Sequence, residues 1–218
     1  MPFIFTNREG GFSAPPFDSA NLGDHVGDNP EFVTRNRAQL ESQLGIAIQF
    51  MNQVHGDTVV LVEEIVSTPT CDALITTSKQ LALAVMVADC IPLLLKSEIA
   101  IAAVHVGRRG LMNQVARKTI TAMRDMGAEM IHSYIGPNIC GSCYEVSPEI
   151  FNEVITKYPS ADSSKRSGKL TLDLAAGLKE DLKDTVMLDL SSCVLEDNHT
   201  FSYRRDGTTG RQAGVIWR

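Results

Sequence analysis

Between Leu81 and Val104 the chain runs through three apolar stretches with little polar interruption, and no other segment limits the fold as much. Leu81–Ala88, Leu93–Lys96 and Ile99–Val104 are each strand-sized, and all fall far below the roughly 18 apolar residues that span a bilayer. Near-continuous apolar strands bury both faces. The segment therefore predicts strands at the centre of a layered structure. Asp89-Cys90 ends the first stretch, Pro92 limits regularity just after it, and Ser97-Glu98 turns the second into the third. The three read as a local meander whose last strand ends at His105 and Gly107.

Helical spacing surrounds this core. A helix is predicted from Pro30 or Glu31 to about Leu44, with proline in its first turn and Gly45 just past its end. Leu111, Val115, Thr119, Met123 and Met126 recur on one helical face. Ser147 caps a helix that opens with Pro148 and buries Ile150, Phe151, Val154, Ile155 and Tyr158. Asp173 starts another, through Leu174, Leu178 and Leu182. Strands are expected at 46–54, 58–65, 130–135, 186–194 and 200–204, and the first 36 residues read as loops and short strands. Helices and strands without regular alternation predict an α+β class of layered sheets with outer helices. No linker-like stretch divides the chain, so residues 1–218 read as a single domain.

Bulk properties narrow the function. A net charge of −6 argues against nucleic acid as the partner, although Arg204, Arg205, Arg211 and Arg218 cluster near the C-terminus. The opening run Met1–Thr6 is too short for a secretory core and is closed by Arg8 and Glu9. These features predict a soluble, cytoplasmic chain without a membrane partner. In that setting its five cysteines are expected as thiols or metal ligands. There is no P-loop motif and no strand-linked dinucleotide fingerprint. Cys140-Gly141-Ser142-Cys143 is half of a metal knuckle or a redox pair. With no second such pair, Cys140 reads as incidental.

Three residues have a place for chemistry. Cys90 and His105 follow strands of the same meander, and His55 follows a strand and is released by Gly56. A thiolate and two imidazoles converging from strand ends would make an open zinc site, with a fourth position left for reaction. Their spacing matches no zinc-finger pattern.

Several blocks carry a resemblance over nearly the whole chain, in order: Asn21-Leu22-Gly23 with Val26-Gly27-Asp28 and Asn36-Arg37; Asn52–Gly56; Ala88–Pro92; Val104–Gly110; Ile135-Gly136-Pro137 with Cys143–Val146; and Phe201–Gly207 with Thr209-Gly210-Arg211. The chain resembles the bacterial YfiH-like "laccase domain" family. The resemblance implies an α/β/β/α layered sandwich with mixed sheets, and a zinc site on His55, Cys90 and His105. It departs from the family at Arg108, where a tryptophan is usual. Losing a large apolar wall and gaining a charge puts substrate preference beside His105 in question.

The family's older label, polyphenol oxidase, implies copper. Multicopper chemistry needs a His₂Cys site and a separate imidazole-rich cluster, and this chain has five histidines in all. Copper bound at the same Cys/His site would leave room for weak oxidation only. The resemblance implies instead phosphorolysis of adenosine, inosine or methylthioadenosine, and deamination of adenosine. The expected partners are the purine nucleoside and phosphate, and the expected state is a monomer or weak homo-oligomer. It also leaves open a cytoplasmic amidase that edits peptidoglycan precursors. For either nucleoside reaction Cys90 holds the metal, while Asp89 serves as general base, as the group orienting the ligand, or as a turn cap. Arg204, Arg205, Arg211 and Arg8 are phosphate-binding candidates, because guanidinium pairs with phosphate through two donors. Gln53 and Glu145 are candidates for contact with substrate, and Asn138 for lining the pocket.

Overall fold

The computed structural model describes residues 3–218, save the side chain of Ser167; Met1 and Pro2 of the opening apolar run lie outside the described residues. Two sheets form the centre. The first has the strand order β1 (Phe3–Phe5), β10 (Gln212–Ile216), β5 (Leu81–Val87), β2 (Ala47–Gln49). The second has the order β3 (Val59–Leu61), β4 (Ala73–Thr76), β7 (Ile101–Val106), β6 (Ile91–Lys96), β8 (His132–Ile135), β9 (Val186–Asp189). Both sheets are mixed: β2 runs parallel to β5, and β8 to β9, while the central pairs are antiparallel.

Strand alternation explains the layers. Leu81, Leu83, Val85 and Val87 of β5 meet Leu94, Ile101 and Ala103 of the second sheet in a core between the sheets. The intervening Ala82, Ala84 and Met86 turn the other way and pack with Leu40 of helix α1 (Pro30–Leu44). In the second sheet Leu93, Leu95, Ala102 and Val104 face outward. They are covered by α2 (Arg108–Met112), α3 (Val115–Asp125), α4 (Pro148–Lys157) and α6 (Leu174–Asp181). Helix, sheet, sheet and helix therefore stack in that order, with α5 (Ser164–Ser167) and α7 (Tyr203–Asp206) as single turns. The fold is the expected α+β layered sandwich.

The local signals for helix ends hold. Asn29 caps α1 and Gly45 closes it in the left-handed region at φ 67°, while Ser147 and Asp173 cap α4 and α6. Other expectations change. The meander is not one sheet: β5 belongs to the first sheet and the β6–β7 hairpin to the second, so the chain changes layers at Ala88–Cys90. The apolar pattern of β5 fits burial in either sheet, and its partner β10 lies at the far end of the chain. The helix expected from Leu111 is broken at Gln114, whose φ is 60°. The strand expected at 200–204 is a loop leading into α7, started by the hydroxyl of Ser202. The strands expected at 46–54 and 58–65 shrink to three residues each. Among the described residues no helix is long and apolar enough to cross a membrane.

Leu94 is fully buried between the sheets. Leu94→Ala should lower stability by about 2–5 kcal/mol, read as a lower denaturant midpoint at unchanged slope.

Candidate metal centre and cleft

The layer change at Ala88–Cys90 is where the site is built. Cys90 follows it directly. His105 is the second-last residue of β7 and shares the face of Ile101 and Ala103, which looks toward the first sheet. His55 comes from the loop between β2 and β3. The donor atoms of these three side chains all lie within 4.8 Å of one another. Cys90 Sγ is 3.8 Å from His55 Nε2, and the imidazole rings stand 4.6 Å apart at 71°. A zinc ion with ordinary bond lengths would hold sulfur and nitrogen about 3.5–3.8 Å apart, so the donor set fits. Gly107 completes the cradle: a Cβ there would meet Cys90 Sγ at 2.9 Å and the His55 ring at 3.1 Å. The backbone approaches the ligands as closely as only glycine permits.

A residue not singled out in the sequence orients two of the donors. Asp72 is fully buried just before β4. One carboxylate oxygen accepts from His105 Nδ1 at 2.8 Å and from the His55 backbone N–H at 2.9 Å. The other accepts from the N–H groups of Gly56 at 2.7 Å and Val54 at 3.3 Å. The bond at His105 Nδ1 leaves its Nε2 for a metal, and the bonds to the loop hold His55 in a left-handed conformation at φ 59°. Gln53 fixes the same loop to β5: its amide donates to Met86 O at 2.7 Å and accepts from Met86 N at 2.8 Å.

Charge follows this geometry. Burial alone would raise the pKa of Asp72, but the hydrogen bonds from His105 and Gly56 outweigh it and lower the pKa. Burial also opposes ionisation of Cys90, yet His105 and His55 bring its thiol down to about 6. Burial works against the imidazolium of His105 too, and Cys90 and Asp72 raise it to about 9. Without a metal, the pair is a thiolate beside an imidazolium.

The centre opens into a cleft of about 390 Å³, within the range of small-molecule sites. Gln53, Asp89, Arg204 and Arg211 line it with the three donors, as do His25, Tyr144 and Tyr203, which had no assigned task. Asp89 stands at φ 102°, a conformation unusual for a side-chain-bearing residue. Its carboxylate accepts from Ser202 Oγ at 2.5 Å and from Arg204 N at 2.7 Å, and its carbonyl accepts from Ile139 N. Burial raises its pKa, against the pull of Ser202 and Arg204. The Arg204 guanidinium lies 4.8 Å from the Tyr144 ring and donates to Glu145 O. Arg211 Nη1 donates to the carbonyls of Thr209 and Gly210.

The structure does not bring Arg8, Arg205 or Glu145 into this cleft. Arg8 faces Asp18 and Asp206 in a separate depression. Arg205 donates to Asp206 and to the carbonyls of Val194, Asp197 and Thr200, so its fork is used in holding a loop. Glu145 extends its carboxylate to Lys169, and Asn138 lies beside Cys140 and Cys193. Arg108 pairs with Glu153 on α4 at 3.0 Å and is not among the cleft-lining residues, so its charge is directed at a helix. The sequence carried a hint of Tyr144 and Tyr203, since both fall inside the blocks quoted above. Asp72 had none, because its role appears only when β4 and β7 pair.

A model of the family described as "Multi-copper polyphenol oxidoreductase laccase" matches residues 2–218. A purine nucleoside phosphorylase of Corynebacterium glutamicum is 42% identical over 228 residues, covering 98% of this chain and 93% of that protein. The purine nucleoside phosphorylase YfiH of Shigella flexneri is 36% identical, covering 97% and 91%. Among solved structures, a Neisseria meningitidis protein of the DUF152 family superposes with a TM-score of 0.88 at 38% identity, covering 99% and 93%. YlmD from Geobacillus stearothermophilus gives 0.88 at 28%, covering 100% and 92%.

In metal-free protein, alkylation of Cys90 by iodoacetamide should lose half its rate as pH falls through about 6. His105→Ala should move that midpoint upward, because the thiolate loses its main partner. Peptide mapping by mass spectrometry reads both. An unchanged midpoint in the variant would contradict the pairing.

Proposed function

The chain belongs to the multi-copper polyphenol oxidoreductase laccase family, that of the YfiH and DUF152 proteins, and on that footing we propose that it is a zinc-dependent purine nucleoside phosphorylase that also deaminates adenosine. The observation that carries the reading is an open His–Cys–His donor set at the floor of a cleft that also holds two arginines and two tyrosines. Relatives named purine nucleoside phosphorylase, alike over almost their whole length, support it.

When bound, zinc supplies a Lewis acid able to polarise an oxygen or activate water near neutral pH. His55, Cys90 and His105 hold it, and Asp72 keeps His105 in the tautomer that can ligate. Tyr144 and Tyr203 offer ring faces for a purine. Arg204 and Arg211 hold phosphate against the ribose. In phosphorolysis a phosphate oxygen bonds to C1′ as the bond from C1′ to the purine nitrogen breaks; the base leaves with a proton and ribose 1-phosphate remains. In deamination water adds at C6 of adenosine and ammonia departs, giving inosine. Asp89 keeps the Ser202–Arg204 turn against Cys90 in both reactions, and its raised pKa suits it to carry a proton during deamination.

Zinc-loaded protein given adenosine and phosphate should release adenine and ribose 1-phosphate; without phosphate it should form inosine. Cys90→Ala should reduce both by more than the roughly 100-fold that loss of an outer hydrogen-bond partner costs. Absence of turnover with every purine nucleoside would refute the assignment.

Asp72→Asn should weaken zinc binding by about 10–100-fold, measured by competition with a chromophoric chelator. Wild-type affinity in this variant would refute the orienting role of Asp72.

A further inference from the structure

Cys140-Gly141-Ser142-Cys143 takes no part in the cleft chemistry, and the sequence holds no second pair of that kind. The fold supplies the missing half from 53 residues further along. The donor atoms of Cys140, Cys143, Cys193 and Glu196 all lie within 4.8 Å of one another. Cys143 Sγ is 3.6 Å from Glu196 Oε1, and the Cys140 N–H points at Cys193 Sγ at 3.5 Å.

The two halves are built alike. Cys140 O accepts from the N–H groups of Cys143 and Tyr144 at 3.0 and 3.1 Å. Cys193 O accepts from those of Glu196 and Asp197 at 3.2 and 3.1 Å. Each turn presents one donor side chain at its first position and one at its fourth, in the manner of a metal-binding knuckle. A parallel bridge between Asn138 and Cys193 sets the turns side by side. We propose that Cys140, Cys143, Cys193 and Glu196 form a second metal site, apart from the cleft, that closes around a soft divalent ion of the zinc type.

Chemistry favours that class of ion. Thiolates select zinc over hard cations such as magnesium or calcium, and sulfur atoms across a tetrahedral zinc stand about 3.8 Å apart. With four protein donors the site has no vacancy for substrate. Its effect is structural: it ties the turn that carries Tyr144 to the segment whose carbonyls grip Arg205, next to the cleft residue Arg204.

Metal-free, reduced protein loaded anaerobically with cobalt(II) and freed of excess should retain two ions per chain. Cys90→Ala should retain one and keep most of the thiolate-to-cobalt charge-transfer absorption; Cys193→Ala should retain one and lose most of it. Since Cys193 lies in a packed loop, the exposed Glu196→Gln provides a milder check: one of the two ions should bind at least tenfold more weakly and the other as before. The proposal is overturned by a single ion in the wild type that Cys90→Ala removes, or by stoichiometry and affinities unchanged in both the Cys193 and Glu196 variants. A disulfide joining two of the three thiols in protein isolated under reducing conditions would overturn it as well. Because Cys90→Ala leaves this site intact, its failure is distinguishable from failure of the cleft chemistry.

Discussion

A buried carboxylate holds the centre together. Asp72 is removed from water, a cost of several kcal/mol for a charge left alone. Four N–H groups surround it, three from the 54–56 loop and one from His105. Hydrogen bonds to a charged group contribute about 1.5–3 kcal/mol each, so satisfaction is conditional on every donor being in place. The loop cannot wander without stranding the charge, and the His105 ring cannot flip. One side chain thereby fixes the position of one candidate donor and the tautomer of another.

The second constraint is the crossing between sheets. The chain leaves β5 in one layer and enters β6 in the other within a few residues, and Cys90 sits on that bend. A tight crossing forces Asp89 into a left-handed conformation, which the bonds from Ser202, Arg204 and Ile139 hold in place. The strained corner therefore aims the thiolate into the gap between the sheets while anchoring the α7 turn that carries Arg204. Gly107, at the end of β7, keeps the opposite wall thin enough for the donors to meet.

Electrostatics completes the arrangement. Cys90 and His105 stabilise each other's charged forms, so the metal-free centre already carries a thiolate near neutral pH. A metal bound here would take the place of the His105 Nε2 proton, and its binding would be tied to proton release. The cationic fork that remains in the cleft is that of Arg204 and Arg211. Arg205 and Arg8, equally plausible in the sequence, lie outside the cleft: Arg205 is turned to the carbonyls of Val194, Asp197 and Thr200, and Arg8 to Asp18 and Asp206.

Local signals in the sequence determined the helices that carry their own caps, at Asn29, Ser147 and Asp173, and the apolar strands of the core, because capping and alternation involve residues a few positions apart. Ordered motif blocks over the full length pointed to the family and to His55, Cys90 and His105. What only tertiary structure decided rests on pairings between distant segments: that β10 inserts beside β5, that Asp72 meets His105 across the β4–β7 pair, and that Cys193 and Glu196 come to face Cys140 and Cys143. A side chain's partner across a sheet or between two loops leaves no periodic trace in the chain. Those choices were made by packing and by the need to satisfy buried polar groups, and the site depends on them.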